Sequence, residues 1–168
     1  MFDELLKMVA GESGEQIINN PQIPDEHNEE AIQTTTSSIV DTLKGQISGG
    51  NGADVLSLLG GQTGVQGNPL VGNLTANVTN SLMDKLGVSN PVAKQIAQAL
   101  VPVVIGKLVN RTNDPNDNAF DINSIFGSLT GGKSNRFNIG GLLAGSQNNP
   151  SGEESSDLGS IFNLLAGK

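Results

Sequence analysis

One stretch limits what this chain can become: residues 90–110, NPVAKQIAQALVPVVIGKLVN. Asn90 reads as an N-cap and Pro91 as the first helical residue, where a missing N–H costs nothing. Val92, Ile96, Leu100, Val104 and Leu108 recur every four residues, the spacing of one helical face. From Ala99 to Gly106 the chain is apolar on every side, the mark of a buried helix or a membrane span. Lys94, Gln95, Gln98 and Lys107 interrupt it short of the ~18 continuous apolar residues that a span needs. The reading is a buried central helix in a small soluble helical domain. Pro102 cannot donate to the Gln98 carbonyl, so a kink that lets the helix wrap the core is expected there.

A buried helix needs others around it. Residues 68–87 give the most complete helix signal: Asn68 as cap, Pro69 in the first position, Leu70, Leu74, Val78, Leu82 and Leu86 four apart, then Gly87. Gly87 and Val88 predict a Schellman-type end, and the turn at 87–90 folds this helix back on the central one. Residues 27–47 predict another helix, capped by Asn28, with Glu29 and Glu30 in its first turn. Its expected buried stripe is Ile32, Ile39, Val40, Leu43 and Ile47, weakened in the middle by the run Thr34-Thr35-Thr36-Ser37-Ser38. Residues 2–10 form a short amphipathic helix with Phe2, Leu5, Leu6 and Val9 on one side. Pro21 and Pro24 exclude helix between these two.

The expected fold is therefore all-α: four or five main helices around residues 91–109. Four segments follow: an N-terminal helical segment (1–48), a glycine-rich connector (49–67), a helical core domain (68–132) and a low-complexity Gly/Ser/Asn-rich tail (133–168). Within the connector, residues 53–59 could make two helical turns closed by Gly60 and Gly61. The core must be built from Leu, Ile and Val, because the 168 residues include five Phe and no Trp or Tyr.

Composition excludes several activities. A net charge of −8, with nine basic residues scattered along the chain, opposes a general nucleic-acid binder. Without Cys there is no disulfide, no thiolate nucleophile and no cysteine metal site. The single His27 rules out a multi-histidine site, reads as a solvated residue at a cap, and has no visible catalytic partner. No basic segment followed by a long apolar one opens the sequence, so a cytoplasmic location is expected. The loop at 110–118 begins like a calcium-binding loop, with Asp114, Asn116 and Asn118. It then puts Ala119 where glycine is needed and Ile125 where the bidentate Glu belongs, so turn chemistry is the better reading.

Beyond the loop the chain echoes itself. Residues 120–129, 137–145 and 157–167 each carry an Asp or Asn cap, a short apolar face and a glycine stop. None is long enough to persist as an isolated helix, so each needs a surface to dock on. Residues 127–134, GSLTGGKS, match a phosphate-binding loop letter for letter. Gly127 and Gly132 would bracket the phosphate cradle, Lys133 would reach the terminal phosphates and Ser134 would hold magnesium. No buried strand precedes the pattern, NRFNIGG is a poor helix opening, and no parallel sheet has anywhere to come from.

Leu100-Val101-Pro102 followed by Ile105, the helix end Lys85-Leu86-Gly87-Val88-Ser89, and the Gly/Leu-rich unit starting at Ile125-Phe126-Gly127 together resemble the uncharacterised bacterial YidB-like family. The resemblance covers about residues 50–132. It implies an all-α, multihelical bacterial domain of unassigned function and brings no catalytic residues. No catalytic, cofactor or metal constellation survives this reading. The expected function is a non-enzymatic interaction or assembly module, acting on a protein partner or on itself. Peripheral membrane attachment through the tail units is the alternative, opposed by the lack of Lys and Arg on their polar faces. A nucleotide-binding role for Lys133 comes last.

Overall fold

The computed structural model describes residues 2–131, and all the regular structure among them is helical. Six α-helices follow in order: α1 (Phe2–Glu12), α2 (Asn28–Gln46), α3 (Gly52–Leu59), α4 (Pro69–Leu86), α5 (Asn90–Thr112) and α6 (Ile122–Leu129). The all-α expectation holds. The tail read as flexible (133–168), and its units at 137–145 and 157–167, lie outside the described residues.

α5 is the centre. Ala93, Ile96, Ala97, Leu100, Val101, Val104, Ile105 and Leu108 are buried along it, with α4, α1 and α3 packed on its sides. The helix runs unbroken through Pro102. It is not buried all round, however. Val103 stands 44% exposed, and Ala99, Pro102 and Gly106 are half-buried. The apolar stretch therefore has one open side, made mostly of small residues. Among the described residues α5 alone is long and apolar enough to cross a membrane, yet its larger apolar side chains point into the bundle.

Two predicted caps move by one residue. Ser89 holds the cap position of α5 with extended backbone (φ −66°, ψ 152°), and Asn90 is the first helical residue. The Asn90 amide turns back to the Met83 sulfur at 3.3 Å instead of capping. At α2, a 3-10 turn over Asp25–His27 feeds straight into the helix, so His27 takes the cap position. Asn28 is then inside helical backbone, and its Oδ1 is buried without a hydrogen-bond partner. Asn68 caps α4 as expected, accepting from the Leu70 amide at 2.9 Å. Gly87 ends α4 in the left-handed region (φ 64°), its amide donating to Met83 O at 3.0 Å. That single bond is the simple left-handed cap rather than a Schellman pair.

The hydroxyl run in α2 is mostly buried. Thr34, Thr35, Thr36, Ser38 and Thr42 are buried, whereas Ile32 of the expected stripe is only half-buried. Thr36 and Thr42 donate to the carbonyls four residues back, at 2.8 and 2.7 Å, which satisfies them within their own helix. Ser38 donates to Ser81 of α4, and Asn77 of α4 donates to Thr42 at 3.1 Å. α2 and α4 thus meet through a polar seam of small side chains, flanked by Ile39, Val40 and Leu43. Small residues let the two backbones approach closely, and this compensates for their modest helix propensity.

The segment read as a connector carries α3, whose Val55, Leu56, Leu58 and Leu59 are all buried. Gly50, at φ 93°, makes the sharp turn from α2 into it, a conformation that a side chain would strain. Asn113 fixes its far end by donating to Leu59 O at 3.1 Å. The first of the three echoing units docks on this domain itself. Asp121 caps α6 by accepting from the Ser124 amide, and Phe120, Ile125, Phe126 and Leu129 are buried.

Candidate functional site

An open groove of about 800 Å³ runs along α4 and α5, with residues 65–68 also lining it. Pro69, Gly72, Ala76 and Asn80 form its α4 wall, and Asn90, Lys94, Gln98 and Pro102 its α5 wall. Those α5 residues repeat every four positions, so they form one stripe beside the buried stripe of Ile96, Leu100 and Val104. From Pro69 to Asn80 the groove is about 17 Å long, at ~1.5 Å of rise per residue. That is about three helical turns, or five residues of extended chain.

The chemistry of the lining is amide-rich. Gln66, Asn80 and Gln98 project into the groove and make no side-chain hydrogen bond among the described residues. Thr75 and Thr79 are already committed to the carbonyls four residues back, at 2.8 Å each. Pro102 lacks the N–H that would bond the Gln98 carbonyl, so this backbone acceptor is left without its usual donor between two lining residues. Lys94 is the single charged residue of the lining, and it has no acidic partner among the described residues.

Gly72 shapes the floor. A Cβ built there meets nothing within 4 Å, so packing does not demand glycine. Glycine in a helix interior costs about 1 kcal/mol relative to alanine. Gly72→Ala is therefore expected to raise stability by about 0.5–1 kcal/mol, read as a shift of the urea midpoint. Lower stability would mean that the site is more crowded than the open groove described here.

Elsewhere the fold brings together charges that lie far apart in sequence. Lys7, Lys107 and Arg111 line one depression between α1 and α5, so the basic residues are less scattered than the sequence suggests. Each already has a carboxylate: Lys7 pairs with Glu4 at 3.0 Å, Lys107 with Glu12 and Arg111 with Asp117. Arg111 also lies 4.2 Å from the centroid of the Phe120 ring. The cluster ties α1 and the 113–120 loop to α5. Donation from Arg111, helped by the Ala119 amide at 3.1 Å and outweighing the effect of burial, holds the Asp117 carboxyl below the usual carboxylate value. A depressed value stabilises the fold fully above the unfolded pKa, and that contribution fades as pH falls through the folded one. A carbon-detected NMR titration should therefore find Asp117 titrating below the ordinary aspartate value. An ordinary value would dissolve this pairing.

The other sequence candidates do not converge. Asp114 spends its Oδ1 on the Asn116 backbone amide at 2.9 Å, an Asx turn, and no cluster of three or more metal-ligating side chains exists among the described residues. His27 lies 3.3 Å from Glu30 and 4.0 Å from Glu26, both exposed residues of the same stretch of chain. Gly127 belongs to the last turns of α6, where a phosphate-binding loop would need a strand's end. Gly132, Lys133 and Ser134 lie outside the described residues. Sequence reasoning passed over the groove because the 90/94/98/102 stripe is polar, and the search followed the apolar stripe beside it. Comparison with family models, curated proteins and solved structures finds no match.

Proposed function

We propose that this chain is a non-enzymatic interaction module and that the α4–α5 groove receives a segment of a protein partner. One observation carries the reading: a three-turn groove in which the exposed side-chain amides of Gln66, Asn80 and Gln98 pair with nothing else among the described residues and stand open to an incoming chain. Its length suits a short peptide segment rather than a small metabolite held by a few converging charges. The 23-residue α5 and its neighbours form a rigid backing on which such a groove keeps its shape.

The test is affinity selection from a random heptapeptide display library against the full chain, with Gly72→Phe as counter-target. Gly72 is exposed and unhindered, so a phenyl ring there fills the groove without disturbing the core. Peptides that bind the parent chain and lose binding to Gly72→Phe are expected. Failure to select any peptide, or selection only of peptides indifferent to Gly72→Phe, would overturn the reading.

A further inference from the structure

We infer that the occupant of this groove is an extended peptide bearing a carboxylate, its main chain read by side-chain amides and its acid held by Lys94. This rests on the reading of the groove as a protein-binding cleft, and names what fits it.

The first argument is the hydrogen-bonding pattern. A helical occupant has already used its backbone N–H and C=O groups internally, and would offer the groove only side chains. An extended segment presents an unpaired donor and an unpaired acceptor at every residue. Gln66, Asn80 and Gln98 each offer both a donor NH₂ and an acceptor oxygen, the complement of a peptide bond. The Gln98 carbonyl, deprived of its donor by Pro102, adds an acceptor for one further peptide N–H. Gly72 and Ala76, with almost no side chain, leave the floor open to a second backbone.

The second argument is charge. Among the described residues no Asp or Glu lines this groove. Its one ion is Lys94, exposed and unpaired, whereas Lys7, Lys107 and Arg111 all hold carboxylates of their own. On the far side of Asn80 the sign reverses: the neighbouring depression between α2 and α4 is bordered by Asp41 and Asp84. A basic peptide would be drawn there, and an acidic one is steered to Lys94. An exposed lysine at the groove, with no acid of its own among the described residues, is free to pair with a carboxylate of the incoming chain.

The experiment uses the groove-dependent heptapeptides from the selection above, with affinities measured on the full chain, Lys94→Gln and Lys94→Arg. Enrichment of Asp or Glu at one position is expected, with affinity falling about three- to tenfold on Lys94→Gln and largely kept in Lys94→Arg. Replacing successive peptide amides by N-methyl amides should weaken binding at two or more positions about tenfold each. Groove-dependent peptides that ignore Lys94→Gln, prefer Lys or Arg, or bind as helices by transferred-NOE would overturn this inference and leave the groove standing as a binding cleft. Tolerance of every N-methylation would do the same. Loss of groove-dependent binding altogether would remove both.

Discussion

Leu100→Ala is expected to lower the free energy of unfolding by about 2–5 kcal/mol. Leu100 is 1% exposed on the helix against which α1, α3 and α4 all pack. Truncation removes the transfer free energy of the lost methyl groups and leaves a cavity that three neighbouring helices cannot close together. A domain of this size has a total stability of about 5–15 kcal/mol, so this one change takes a large share of it. Urea unfolding should show a lower midpoint with an unchanged slope. Val103→Ala, three residues along and 44% exposed, should stay within about 0.5 kcal/mol. Equal effects at the two positions would mean that α5 faces the other way.

Phe126→Ala should cost about 3–5 kcal/mol, but its effect should be local. Phe126 is 1% exposed, and its Cζ comes within 3.5 Å of where a Cβ on Gly52 would stand. α6 has eight residues and cannot persist without a surface to dock on. The loss should therefore appear first as detachment of α6. Amides of residues 124–130 should exchange faster with solvent, while those in α4 and α5 keep their protection. Uniformly faster exchange along the chain would show that α6 is cooperative with the core and not an appended unit. An undiminished α6 would show that Phe126 does not anchor it.

How far the sequence could be read depends on the kind of signal. α4 was legible nearly to the residue, since Asn68, Pro69, the four-residue leucine and valine spacing, and Gly87 are all local chemistry. α2 was legible as a helix but only in part in its packing. Ile39, Val40, Leu43 and Ile47 of its expected stripe are buried, but the inward face also includes Thr34, Thr35, Thr36 and Ser38, whose helix propensities read as a weak middle. Thr36 and Thr42 are buried at little cost because each donates to a carbonyl four residues back, and Ser38 because it donates to Ser81, whereas Thr35 Oγ1 is buried without a partner; nothing in a single sequence distinguishes these from a solvated face. The caps at Asn28 and Asn90 failed for a related reason. A side chain able to cap is only recruited where the backbone turns, and the 3-10 turn at Asp25–His27 and the extended Ser89 moved those turns by one residue.

The chain by itself determined that this is a helical protein centred on α5, because periodicity, proline placement and glycine stops act within a few residues of one another. It also determined that cysteine, multi-histidine and strongly basic chemistries are closed to it. Only the tertiary structure decided that Phe120 and Phe126 belong to the core, that Lys7, Lys107 and Arg111 meet, and that Asn80, Lys94, Gln98 and Pro102 line one groove. Each of those juxtapositions joins residues on different helices or different turns. Their spacing is set by which faces α4 and α5 bury against each other, a choice made by the packing of the whole bundle and written in no local stretch of the chain.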